Sequence, residues 1–198
     1  MPAADTQEIA IRAATPADAP AIGRIHVESW RETYRGLLSG NLLNSVSAVV
    51  RAAMWRGALE HERPIVLFVA QQASGDLVGF AGGGSSRAPS LPHDAEVYAI
   101  YVLRAAQRRG CGRRLMAALA NALHTRGFRS LSLWVLEENA GARGFYERLG
   151  GTVVGEKTEV DGGHEFREVA YGWDNLQSLC SAASIPTSAT DGEARGVS

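Results

Sequence analysis

Cysteine is scarce: the chain of 198 residues has two, Cys111 and Cys180. They stand far apart and in no metal-ligand spacing, which excludes a disulfide framework and a thiolate zinc site and fits a reducing cytoplasm. Lysine is scarcer still. Nineteen of the 20 basic residues are arginine, so an arginine at any one place carries little information by itself. An excess of one sign is also missing, since 20 basic against 21 acidic residues leave a formal charge of -1. That balance argues against nucleic acid or an anionic membrane as the main partner, while leaving clustered arginines able to hold a small anion. The most apolar run, PIVLFVA at 64–70, is far too short to span a bilayer. The opening MPAADTQE lacks a basic region followed by an apolar one. The expectation is a soluble, cytoplasmic protein.

What is present is enough apolar material, 45% of residues, for one domain with a sizeable core. IAIRAA at 9–14 reads as a strand, and Thr15 followed by Pro16 reads as a helix start. Ile22, Ile25, His26, Trp30 and Tyr34 then recur at helical spacing up to Gly36, and a second helix is expected over 42–59. PIVLFVAQQ and DLVGFAGGG flank ASGD as a hairpin, and DAEVYAIYVL at 94–103 is the longest strand candidate. Leu115, Met116, Leu119, Ala120 and Leu123 form one apolar stripe of a helix ending near Gly127. RSLSLWVLE follows as a buried strand, NAGARGFYERLG as a short helix capped by Asn139, and TVVGEKTEV with EFREVAYGW as a closing hairpin. The order β-α-α-β-β-β-α-β-α-β-β predicts an α/β domain over 9–174, with the strands flanking the 111–127 helix parallel. Residues 1–8 form a short extension, and 175–198, without periodicity, read as a disordered tail.

The segment QRRGCGRRL at 107–115 lies between that longest strand and a helix. Two glycines there clear a helix N-terminus so that backbone N–H groups can receive an anion, most plainly a phosphate. It is neither the dinucleotide fingerprint, which needs three spaced glycines, nor a P-loop, which needs Gly-Lys-Ser/Thr. On its own a Gly-x-Gly turn is weak evidence, and tight turning and close packing are the better account of it.

The ordered set EVYAIYVL, QRRGCG, helix, SLSLWVLEEN and NAGARGFYERLGG resembles the GNAT superfamily of N-acetyltransferases, in its bacterial form. Gln107, Gly110 and Gly112 match the pyrophosphate motif Gln/Arg-x-x-Gly-x-Gly/Ala, and Asn139, Ala142, Phe145 and Tyr146 match the later Asn-x-x-Ala-x-x-Phe-Tyr. WRETYRGLL at 30–38 is similar to the first-helix region of bacterial members. Arg104, where many members have proline, and Cys111, where a branched aliphatic residue is usual, depart from the pattern.

The resemblance implies a mixed central sheet of about six to seven strands flanked by about four helices, with the fourth and fifth strands splayed around acetyl-CoA as cosubstrate and no metal. It further implies acetyl transfer to a primary amine by direct attack in a ternary complex, with a homodimer common in the family. Gln107, Arg108, Arg109, Gly110, Cys111, Gly112 and Arg113 would form the phosphate cradle, although a solvated surface also accounts for the arginines. Val102 would pair with pantetheine and donate to the thioester carbonyl, and Asn139 would bond the cofactor, cap its helix, or do both. Tyr146 would protonate the leaving thiolate, and Glu96 would relay the amine's proton or simply face solvent from an edge. Trp30 and Tyr34 would lie over the acceptor or belong to the core. Cys111, at a helix N-terminus, is expected to have a lowered thiol pKa and no nucleophilic role. The alternative use of the same fold is an acyl-CoA-binding or sensing module without turnover.

Overall fold

The structure is a computed structural model and describes residues 8–34, 46–60, 65–161 and 164–179, with the side chains of Asp161 and His164 left out. Strand β1 (Ile9–Ala13) leads through a 3-10 turn at Pro16–Asp18 into α1 (Ala19–Tyr34). The entry is locked from both sides. Thr15 N–H donates to Asp18 Oδ2 at 2.8 Å, and Arg12 on β1 donates to both Asp18 oxygens at 2.8 Å. Those bonds, the Arg12 pair foremost, hold the Asp18 carboxyl down at about 2.

Helix α2 (Ala48–Glu60) follows, then β2 (Val66–Gln72), β3 (Leu77–Ser85) and β4 (Ala95–Val102). The remaining elements are α3 (Cys111–Thr125), β5 (Leu131–Leu136), α4 (Ala140–Arg148), β6 (Thr152–Asp161) and β7 (His164–Trp173). The expected second helix thus begins at Ala48 in the described residues, and Gly36 and the stretch from 42 to 45 lie outside them.

Seven strands form one mixed sheet in the order β1-β2-β3-β4-β5-β7-β6. The β4–β5 pair is parallel and every other pairing is antiparallel. Two clusters cover opposite faces. On one, Leu115, Met116, Leu119, Ala120 and Leu123 of α3, all fully buried, pack with Ala95, Val97, Leu131, Leu133, Val135 and Tyr171. On the other, Ile22 and Ile25 of α1 and Trp55 of α2 pack on Leu67, Val69, Phe80, Ala99 and Tyr101. No helix among the described residues is long and apolar enough to cross a membrane.

The expected boundary at 174 needs correction. Leu176 and Leu179, assigned to the tail, are 0% exposed and belong to the α3-side core, and Leu176 N–H donates to Arg129 O at 3.0 Å. Two leucines in a short polar stretch show no periodicity, yet each fills space under the sheet. Residues 180–198 lie outside those described.

Candidate active site

β4 and β5 pair only at Ala95↔Leu131 and Glu96↔Ser132. Beyond that point β4 stays with β3 and β5 stays with β7, so the two strands part and leave a cleft between them. The splay expected from the family resemblance is present. Its local cause lies in β4, where the register with β3 slips between Gly82↔Ala99 and Gly83↔Val97, leaving Tyr98 as an extra residue. Such a bulge bends its strand and re-aims the groups after it. Only glycine fits opposite: a Cβ on Gly83 would come within 2.5 Å of Glu96 O.

The bulge also decides which backbone groups look into the cleft. Leu103 N–H donates to Val78 O on β3 at 2.9 Å. Alternation along the strand then turns the N–H and C=O of Val102 and Ile100 away from β3, toward the gap that β5 has vacated. Val102 O is taken by Gln107 Nε2 at 2.9 Å. The Gln107 side chain therefore braces the strand end, while the Val102 and Ile100 amides face the cleft. Ile100 escaped the sequence reading because the count along β4 is broken by an insertion that only the pairing reveals.

The glycine turn caps the cleft. Gly110, the N-cap of α3, has φ 78°, and Arg108 has φ 60°, the one non-glycine residue with positive φ among those described. Left-handed residues two apart curl the intervening amides into a concave nest. Arg114 N–H makes the first bond of the helix, to Gly110 O at 3.0 Å, so by helix geometry the amides of Cys111, Gly112 and Arg113 precede the intrahelical ladder. The two glycines do different work. Nothing lies within 4 Å of a Cβ built on Gly110, whereas one on Gly112 meets Phe145 Cζ at 3.3 Å. Gly110 supplies conformation and open approach, and Gly112 lets Phe145 of α4 seat against α3.

Arg108 and Arg109 are exposed and Arg113 is half-buried, all three flanking the nest. The expectation for Cys111 is overturned: its thiol is buried, and burial pushes its pKa up against the lowering influence of Arg109 and Arg114. Asn139 is the N-cap of α4, with Oδ1 accepting from Ala142 N–H at 3.1 Å. Its side-chain amide group makes no hydrogen bond among the described residues.

Three tyrosines act on one another electrostatically across the sheet. Tyr146 of α4 enters from the α3 side, its ring 5.7 Å from Tyr171 and 6.2 Å from Trp173. Tyr34, at the end of α1, and Tyr101 of β4 come from the other face. Burial pushes Tyr101 up to about 12. The same desolvation lifts Tyr146, with Tyr101 adding, and lifts Tyr34, with Tyr101, Glu168 and Tyr146 adding. None of these hydroxyls hydrogen-bonds within the described residues. The Trp30 and Tyr34 rings lie 4.0 Å apart, tilted by 44°, and the Trp30 indole N–H is buried with no partner among the described residues. His26 is a packed histidine, accepting from Trp55 Nε1 at 3.1 Å on Nδ1.

Glu96 is not solvent-facing: it is 5% exposed and gripped by Arg87. Arg87 Nη2 reaches Oε1 at 2.6 Å, while its backbone N–H and Nε reach Oε2 at 2.8 and 3.3 Å. The guanidinium lies 3.8 Å over the Tyr98 ring. A hollow bounded by Arg87, Ala88, Ser90, Glu96, Trp134 and Lys157 opens beside it. Arg87, Trp134 and Lys157 were missed from sequence, because strand pairing and a loop bring them to this hollow and no motif marks them.

Comparison with known proteins gives a consistent result. The profile of the acetyltransferase (GNAT) family matches residues 25–151. The chain is 34% identical over 171 residues to an uncharacterized N-acetyltransferase, YuaI, of Bacillus subtilis, covering 86% of this chain and 96% of the relative. Among solved structures, yncA of Salmonella typhimurium, determined with its cofactor acetyl-CoA, superposes with a TM-score of 0.65 at 23% identity over 84% of this chain and 93% of that one. The paia N-acetyltransferase of Thermoplasma acidophilum, in complex with coenzyme A, gives 0.62 at 21% identity over 82% and 98%.

Proposed function

The chain belongs to the GNAT family of acetyltransferases, and from that premise we propose that it transfers the acetyl group of acetyl-CoA to a primary amine by direct attack with both substrates bound. The observation that carries this reading is the parted β4–β5 pair, whose unpaired amides lead up to a left-handed nest at the start of α3. A thin, extended ligand with a pyrophosphate at one end fits such a slot. The turn from Gln107 to Arg113 would hold the phosphates, the positive end of α3 and one or more of Arg108, Arg109 and Arg113 adding charge. Backbone amides of β4, Val102 among them, would pair with the pantetheine arm and steady the carbonyl oxygen as it gains charge. The Asn139 amide group would add a contact from the opposite lip.

Bound acetyl-CoA supplies the thioester that the amine attacks. The chain's own residues must manage protons. An ordinary alkylammonium of pKa about 10.4 costs roughly 4–5 kcal/mol to deprotonate near neutral pH, so a proton acceptor is required, and Glu96 and Glu168, both on the sheet face opposite α3, would be the carboxylates to serve an acceptor bound there. Tyr146 would donate to the departing sulfur. Its hydroxyl, held above the usual phenol range by burial, keeps its proton throughout the working pH range and is oriented by packing between Phe145, Tyr171 and Trp173. Trp30 and Tyr34 would border the acceptor.

The test is CoA release from acetyl-CoA against a panel of primary amines, with acetyl-CoA affinity measured in parallel. Release with at least one amine supports transfer. Tight acetyl-CoA binding with no release from any amine would instead favour a sensing module, and no binding would remove both.

A further inference from the structure

The two carboxylates on the acceptor face live in different surroundings. Both oxygens of Glu96 are engaged by three donors of Arg87, with 7% of its side chain exposed. The result of that grip is mechanical: it fastens the β3–β4 connection onto β4, where Leu91 then lies against Gly155 and His93 against Gly172. Glu168 pairs with Leu136 of β5 and with Lys157 of β6, which sets it on the same face as Trp134, next to the parted strand. One oxygen takes a bond from Lys157 Nζ at 2.9 Å, and the other makes none among the described residues. The side chain is 21% exposed. Lys157 is divided among Glu168, Glu159 at 2.8 Å and the Trp134 ring at 4.5 Å, so its charge is not spent on Glu168 alone.

We propose that Glu168 is the proton acceptor for the incoming amine, and that Glu96 is a positioning residue holding the β3–β4 connection through Arg87. This rests on the acetyl-transfer reading. The ammonium gives one proton to Glu168, and the lone pair so released forms the bond to the thioester carbon. The carbon–sulfur bond breaks with its electrons on sulfur, and the thiolate takes the Tyr146 hydroxyl proton. The nitrogen's second proton leaves as the amide forms and restores Tyr146, while Glu168 returns its own proton to solvent. Among the described groups Lys157 from β6 bonds Glu168, and Tyr101 from β4 and Tyr34 from α1 feel its charge, with Arg51 of α2 acting on Tyr101.

The experiment is a pH–rate profile of CoA release for the native enzyme, Glu168→Gln, Glu168→Asp and Glu96→Gln, with benzylamine, spermidine, glycinamide and an alanyl tripeptide as acceptors. Glu168→Gln should lower kcat about 100-fold or more near pH 7, the deficit shrinking as pH approaches the pKa of the amine, and Glu168→Asp should recover part of the rate. Glu96→Gln should lower the melting temperature and raise KM while keeping the native profile shape. The proposal is overturned if Glu168→Gln retains native kcat and profile, or if the alkali-rescued loss belongs to Glu96→Gln alone. No release by the native enzyme from any of the four amines would remove the acetyl-transfer reading and this assignment with it.

Discussion

Acidification should weaken the fold through one histidine before any carboxylate is touched. His26 is 7% exposed, accepts from Trp55 Nε1, and lies 4.9 Å from the Tyr101 ring. Burial first, and the charge of Arg51 second, lower its pKa from 6.5 to about 4. The unfolded chain therefore binds a proton at pH values where the folded one does not. Stability from this group is fully present above about 6.5 and is lost as pH falls toward 4. With those two values, linkage gives a loss of about 1.3 kcal/mol between pH 7.5 and 5.5, and about 2.5 kcal/mol by pH 4.5. In a chain of this size the first figure is a fall of about 3–5 °C in melting temperature.

Chemical denaturation of the native protein and of His26→Gln, at pH values from 7.5 to 4.5, measures it. Glutamine can still accept from Trp55 but cannot titrate. The stability gap between the two proteins should narrow by about 2.5 kcal/mol across the range. Asp18, lowered to about 2, also loses stability on acidification, but only as pH falls below about 3.8, so it does not enter. His93 and His124 are common to both proteins and cancel. A gap that stays constant with pH would refute the buried neutral state of His26.

Other expectations follow from the same contacts. Gly110→Ala should cost about 1–2 kcal/mol for a left-handed residue and weaken acetyl-CoA binding, whereas Gly112→Val should lower stability and affinity together by displacing Phe145; calorimetry and thermal melts that show neither pattern would separate the turn from the ligand. Tyr146→Phe should reduce kcat by about 10- to 100-fold with little change in acetyl-CoA affinity, and unimpaired turnover would remove the proposed acid. Leu176→Ala and Leu179→Ala should each cost about 2–5 kcal/mol in denaturant titrations, and costs near zero would return both to a loose tail.

Much of the architecture is legible because local patterns and tertiary demands coincide. The α3 stripe is fully buried at each of its five positions, Asn139 caps α4, and the turn glycine at 110 takes the conformation its chemistry permits. Leu176 and Leu179 were illegible for the converse reason: two residues cannot display a period, so their burial depends on a space created by distant strands. Cys111 shows competition between terms. The helix N-terminus and two arginines favour the thiolate, but packing against the core outweighs them.

The candidate site was legible where it rests on consecutive backbone and obscure where it depends on pairing across the sheet. Read without interruption, β4 would place Val97, Ala99 and Tyr101 on one face. The extra residue at Tyr98 transposes them: Val97 stays with the α3 core, while Ala99 and Tyr101 pass to the α1 face and Ile100 and Val102 take their place. The same transposition turns the Ile100 and Val102 amides from β3 toward the gap. One inserted residue thus ends the β4–β5 ladder, turns amides to the cleft and delivers a tyrosine to the α1 face. The sign of it in the sequence is the run Gly82–Gly84 in mid-strand, where Gly83 permits the close approach of Glu96 O that a side chain would forbid. A glycine that weakens β3 on its own terms is what lets the opposing strand bend, and the bend opens the cleft of the candidate site.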